Sequence, residues 1–373
     1  MKFRAQFLLF SLTAAFAAIG QVVQSEKAQF TVQPVVDGLD HPWSMMRLPD
    51  GRFLITERPG RLRIIENGQL LPEPVAGIPE VYANGQGGLF DIELHPDYEN
   101  NGWIYLCYAA PRGDKGLTKI IRGRLKDHEF VDQEVIFEAP EQDYVNGGLH
   151  FGGRMQFDGK GFLFFSIGDR GDVTTPKNNA QQLGNVKGKI HRIHDDGRIP
   201  FDNPFYTKSG AAKSIWTLGN RTPQGLRFDR EGNLWEVEHG PRGGDELNLI
   251  KKGANYGWPI VTFGINYSGT PITDKTSAPG MEDPVIHWTP SIAVGGIDFY
   301  YGDAFPEWKG NLFATALAHQ KLVRLEIDSN KKVTHQEILL EGQGRIRDVY
   351  CDGDDIYLIY DEPGKIVRLV PAS

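Results

Sequence analysis

Six short clusters of glycine and polar residues hold the side chains of this sequence that can do chemistry. They lie at 84–89 (with Gln86), 146–154 (His150, Arg154), 219–225 (Arg221, Thr222), 238–248 (Gly240, Pro241, Asp245, Glu246), 255–259 (Tyr256) and 344–348 (Arg345, Arg347). Arg345 and Arg347 are two apart, so on a strand they share a side and can grip carboxylates with forked, charge-assisted hydrogen bonds. The Gly240-Pro241 turn offers backbone carbonyls next to the carboxylates of Asp245 and Glu246, which are the hard oxygen donors that calcium prefers. His150 sits between flexible glycines and can approach a substrate hydroxyl as a general base. Singly, each feature has a plainer reading: a tight turn, a pair of solvated arginines, a structural histidine. Together they describe a site for an anionic ligand and a hard cation beside a base.

Something must bring clusters 260 residues apart to one place. A weak repeat supplies the means: a turn rich in Asp, Asn and Gly runs into a short apolar strand, six times over. The turns are at 49–51, 100–102, 158–161, 231–233, 309–311 and 352–355, and the following strands begin near Phe53, Trp103, Phe162, Leu234, Leu312 and Ile356. Several strands per unit at spacings of 40–80 residues are the mark of a β-propeller. The fold expected is therefore all-β, a six-bladed propeller whose long inter-strand loops build the site on one face. Asn67-Gly68 between 61–65 and 70–71 reads as a type I′ hairpin. The segment 30–36 is expected to close the ring as an outer strand of the last blade. No helix longer than a turn or two is expected.

The first residues do not belong to this fold. Lys2 and Arg4 precede an uncharged apolar run at 7–20, and Ala15-Phe16-Ala17 has the small-x-small form of a cleavage site. This reads as a secretory signal over 1–24, too short to span a membrane. The propeller then occupies 25–373 as a single domain, in a periplasmic or secreted protein with no stable membrane insertion. The formal charge is −8, and removing residues 1–17 makes it −10. An acidic chain with no basic run is not expected to bind nucleic acid. Cys107 and Cys351 are the only cysteines. They stand either as one disulfide or as two buried thiols, and neither lies in a zinc or haem motif.

These clusters resemble the soluble aldose and glucose dehydrogenases that depend on pyrroloquinoline quinone (PQQ). The most specific stretches are 219–224, 238–248 and 255–259. Supporting matches at 85–95, 150–154, 167–169 and 345–349 follow the family's order over nearly the whole mature chain. The resemblance implies a six-bladed propeller that binds PQQ and calcium. It implies oxidation of an aldose sugar at C1 to the lactone, with His150 as general base, Arg221 over the quinone, and electrons passing to an external acceptor. It places Gln86, Arg221, Thr222, Tyr267, Leu317, Arg345 and Arg347 at PQQ, and the carbonyls of Gly240 and Pro241 at its calcium. Glu246 and the Tyr256 carbonyl fall where some members hold a second calcium. Three positions depart from the pattern: Thr222 for an asparagine, Ala318 for a lysine, and Leu149 for the aspartate of glucose-specific members. The last implies a broader aldose site. Two other readings stand beside this one. A calcium-dependent propeller lactonase would need side-chain ligands at the axis but not Arg345 and Arg347. A non-catalytic carbohydrate- or protein-binding propeller would explain the fold alone.

Overall fold

Each of the six repeated turns opens the second strand of one blade. In the computed structural model, which describes residues 21–172 and 178–372, five blades are four-stranded antiparallel meanders. Blade 1 comprises Pro42–Arg47, Phe53–Glu57, Arg61–Glu66 and Gln69–Leu70; blade 2 comprises Leu89–Leu94, Ile104–Arg112, Lys115–Lys126 and Glu129–Phe137. Blade 3 comprises Gly152–Phe157, Phe162–Ile167, Lys189–His194 and Ile215–Leu218; blade 4 comprises Pro223–Phe228, Leu234–Glu238, Asp245–Ile250 and Ile286–Trp288. Blade 5 comprises Val294–Phe299, Leu312–Ala316, Lys321–Ile327 and Val333–Glu341. Asn67 and Gly68 both have positive φ, 51° and 76°, as the type I′ hairpin of blade 1 requires.

Blade 6 joins the two ends of the chain. Arg345–Asp352, Asp355–Glu362 and Lys365–Pro371 come from the C-terminus, and Gln29–Asp37 pairs antiparallel with Lys365–Pro371, with Val23–Gln24 outside it. The expected closing strand is therefore present. Its anchor is Phe30, fully buried and edge-on to Trp308 at 5.5 Å. Glu26 and Lys27 extend the tie to blade 5, where Lys27 meets Glu326 at 2.6 Å and the Glu26 amide donates to Glu337. The apolar run and cleavage motif expected of a signal lie at 1–20, outside the described residues. Among those described, no helix is long and apolar enough to cross a membrane.

The innermost strands of neighbouring blades pack on one another around the axis, the last against the first. Apolar side chains fill the gaps between blades. The axis itself is polar. Arg154 of blade 3 reaches Asp91 of blade 2 at 3.1 Å and Asp348 of blade 6 at 2.8 Å, and lies over the Trp43 ring at 4.2 Å. Arg227 of blade 4 reaches Glu93 at 3.1 Å and Asp298 at 3.3 Å. Cys107 and Cys351 sit in blades 2 and 6 as free thiols, which settles their alternative.

Candidate functional site

In an antiparallel meander, the loops between blades and those from second to third strand leave on the same face. All six polar clusters use these exits or reach them. Those at 84–89, 146–154, 219–225 and 344–348 enter innermost strands; that at 238–248 joins the second and third strands of blade 4. The cluster at 255–259 belongs to a long excursion, 251–285, that leaves blade 4 and folds back over the site. These last two clusters lie within blade 4 rather than between blades.

Two cavities meet on this face. The larger, about 480 Å³, is lined by Gln86, Gln224, Leu317, Arg345 and Arg347 over a floor that includes Trp43. Arg347 donates to the Gln224 side-chain carbonyl at 3.0 Å, while its buried Nε has no partner among the described residues. Burial chiefly pulls the Arg347 pKa down to about 10; Asp361 opposes this, and Arg345, Arg154 and Arg58 reinforce it. Arg345 lies 3.5 Å from Asp361, which also meets His41 at 2.9 Å. His239 borders the cavity with its pKa lowered to about 4, mainly by burial, and so is neutral near pH 7; its Nε2 lies 2.7 Å from the Val294 carbonyl.

The second cavity, about 250 Å³, is lined by Leu149, His150, Arg221, Pro241 and Trp258. Tyr267 borders both cavities and is 75% exposed at their mouth. His150 is held with φ at 51°, and Gly168 passes beneath it so closely that a Cβ there would lie 2.2 Å from the His150 carbonyl. The His150 amide donates to Gln86 at 2.8 Å. Its Nδ1 lies 2.6 Å from Asp169, which also accepts from the Gly171 amide at 2.8 Å and from Trp258 Nε1 at 2.7 Å. With Asp169 accepting, the ring proton sits on Nδ1 and the Nε2 lone pair is left free. Burial holds the His150 pKa below the ordinary histidine value; Asp169 opposes this and Arg221 adds to it. The imidazole is therefore a neutral base near pH 7.

Arg221 donates from Nη1 to the carbonyls of His239 (2.9 Å) and Gly240 (2.8 Å), stacks 5.1 Å from the Trp258 ring, and keeps a buried Nε with no partner among the described residues. Thr222 is buried and borders neither cavity; its hydroxyl accepts from Gln224 at 3.2 Å, and Gln224 faces the larger cavity instead. Beneath Arg221 a space of about 10 Å³ is lined by Glu238, Gly240, Glu246 and Tyr256, room for roughly one water or ion. Burial pushes the Glu246 pKa up to about 7, and those of Glu236 and Glu238 well above the carboxylate range. Among the described residues, Glu236 Oε1 and Asn248 Oδ1 have no partner. Among the described residues, no three or more His, Cys, Asp or Glu side chains are grouped to hold a metal. A cation here would have to draw on backbone carbonyls as well.

The family model described as Glucose / Sorbosone dehydrogenase matches residues 39–368. The chain belongs to this family. Aldose sugar dehydrogenase YliI of Escherichia coli is 41% identical over 93% of this chain and 94% of that protein. The crystal structure of the soluble aldose sugar dehydrogenase from E. coli, in apo form, matches with a TM-score of 0.86, covering 92% of this chain and all of that one. The PQQ-bound aldose sugar dehydrogenase of Streptomyces coelicolor is 26% identical, with a TM-score of 0.74, over 92% of this chain and 98% of that one. Quinoprotein glucose dehydrogenase B of Acinetobacter calcoaceticus is 27% identical over 95% of this chain and 91% of that protein.

In this member of the glucose/sorbosone dehydrogenase family, the predicted residues other than Thr222 fall into three groups. Gln86, Tyr267, Leu317, Arg345 and Arg347 meet at the larger cavity; His150, Arg221, Pro241 and Tyr267 meet at the smaller; Gly240, Glu246 and Tyr256 line the small space below. Sequence reasoning assigned no role to Asp169, Trp258, Gln224, Glu238 or Arg58. The pairing of Asp169 with His150 had one available signal. Asp169 follows the second strand of blade 3 and His150 precedes the first, and antiparallel pairing brings those ends together.

Proposed function

We propose that this protein oxidises aldose sugars at C1 to lactones, with PQQ as oxidant, calcium as partner ion and His150 as general base. The observation that carries the reading is the shared mouth: an arginine-lined cavity for a polyanion opens beside a pocket holding a neutral, Asp-anchored histidine. Unpartnered Nε groups on Arg221 and Arg347 fit a ligand rich in carboxylate and carbonyl oxygens. Arg345, Arg347, Gln86, Leu317 and Tyr267 would hold PQQ, with Thr222 acting from behind through Gln224. The Gly240 and Pro241 carbonyls would hold its calcium, and Glu246 with the Tyr256 carbonyl a second.

When bound, PQQ supplies the quinone that accepts a hydride from C1, and calcium supplies Lewis acidity. The chain's own residues do the rest. The sugar's anomeric hydroxyl gives its proton to His150 Nε2 as the C1–H bond breaks, leaving the lactone carbonyl. Asp169 holds the ring in the correct tautomer and stabilises the imidazolium. Arg221 directs positive charge at the oxygen where negative charge grows. A calcium ion on the Gly240 carbonyl would compete with Arg221 for that oxygen and would leave the guanidinium held by the His239 carbonyl. Leu149 and Trp258 give the sugar pocket an apolar wall, which suits several aldoses. The two electrons then pass to an external acceptor, and the protein works outside the cytoplasm after export.

The lactonase reading is weaker because the axial carboxylates Asp91 and Asp348 are engaged by Arg154. The test is His150→Ala. It should keep PQQ and calcium while turnover per bound cofactor falls by roughly 10²–10⁴-fold. Near wild-type turnover at full occupancy would remove His150 from the mechanism.

A further inference from the structure

We infer that Arg58 is a third arginine of the larger cavity, binding an anionic group of the same ligand that Arg345 and Arg347 hold. This rests on the reading that the cavity takes PQQ, a tricarboxylate. Arg58 lines the cavity from blade 1, next in the ring to blade 6, which supplies Arg345 and Arg347. Its main chain is fixed on both sides. The Arg58 amide donates to the His41 carbonyl at 2.9 Å, and its carbonyl accepts from the Leu89 amide at 2.9 Å. Gly88 has φ at +148°, and a Cβ there would lie 1.9 Å from the Arg58 carbonyl oxygen, so that crossing from blade 1 to blade 2 admits only glycine. The guanidinium is aimed in turn by Nη1, which donates to the Gly85 carbonyl next to Gln86.

A guanidinium has five N–H donors in a planar fork. The bond to Gly85 uses one, and among the described residues no carboxylate pairs with Arg58. Three arginines thus face one cavity whose lining carboxylates are Asp361 and Glu362. Asp361 is already shared between His41 and Arg345. Three guanidinium groups against two carboxylates leave the cavity with surplus positive charge, which an anionic ligand would offset. Three forks set around one space match a ligand with three carboxylates better than two do. Arg58 therefore contributes affinity and fixes which way round the ligand sits.

The experiment is a titration of metal-loaded apoprotein with PQQ, followed by cofactor absorbance, in wild type, Arg58→Ala, Arg58→Gln, Arg58→Lys and Arg347→Ala. Arg58→Gln retains a donor for the Gly85 carbonyl without the charge, so it separates binding from folding. Arg58→Ala and Arg58→Gln should weaken binding by roughly 10–100-fold, the usual worth of a charge-assisted hydrogen bond. They should also flatten the salt dependence of Kd, and Arg58→Lys should recover part of the loss. Thermal unfolding of Arg58→Gln without ligand should match wild type. Wild-type affinity in both Arg58→Ala and Arg58→Gln, with binding lost in Arg347→Ala, would overturn the inference and leave the PQQ reading standing. Failure of wild type to bind PQQ, or full affinity in Arg347→Ala as well, would overturn that reading and the inference with it.

Discussion

At the scale of single residues, the proposed chemistry turns on how four side chains hold one another. Asp169 accepts from His150 and from Trp258, and Trp258 in turn carries Arg221 on its ring. Asp169→Asn should therefore do more than lower the rate. The aspartate raises the His150 pKa against burial, so its loss lets that pKa fall further. The acidic limb of the kcat/KM profile, which reports protonation of the base, should move to lower pH while turnover drops by about 10²-fold or more through loss of the correct tautomer. An unmoved limb would detach Asp169 from the base. The groups legible in the sequence were those whose chemistry is local. Arg345 and Arg347 alternate on one strand, and His150 sits among glycines. Asp169 meets its partner through the pairing of strand ends in blade 3, a signal that shows only once those strands are paired, while Trp258 and Arg58 act through the fold-back of 251–285 and the junction of two blades, which leave no spacing to read.

At the scale of elements, the turns were more legible than the strands. The Asp/Asn-Gly turns announced the six blades because positive φ and Asx bonding restrict what can stand there. Polar and apolar alternation is a poor guide to exposure on the middle strands. Glu236 and Glu238 alternate with apolar neighbours on Leu234–Glu238 and look solvent-facing, yet both are buried, because a middle strand of a blade is covered on both faces by neighbouring blades. Ring closure rests on Gln29–Asp37, and within it on Phe30. Phe30→Ala should cost about 3–5 kcal/mol, the range for truncating a buried phenylalanine. The loss should appear as a lower urea midpoint and as faster proteolysis near the N-terminus. A midpoint equal to wild type would show that the other strands of blade 6 close the ring without it.

At the scale of the whole molecule, the axis couples stability to pH. Burial, opposed by Arg227 and aided by Asp91, pushes the Glu93 pKa up to about 8; burial, opposed by Arg154, takes that of Asp348 to about 6. Both values lie above the unfolded ones, so the native state binds more protons between them. Stability from these groups is full below the ordinary carboxylate range and is lost as pH rises through about 6 and then about 8. Glu93→Gln should flatten the upper part of that slope in urea unfolding, and an unchanged slope would place the coupling elsewhere.

The central claim concerns what the assembled face does, and one anaerobic measurement tests it. Apoprotein freed of metal is loaded with PQQ alone or with PQQ and calcium, an aldose is added, and the cofactor spectrum and the lactone are followed together. The account predicts that the calcium-loaded sample reduces its cofactor at once, with one lactone formed per PQQ, and that the calcium-free sample does not. A protein that binds PQQ and calcium yet leaves the quinone oxidised with every aldose tried would contradict it.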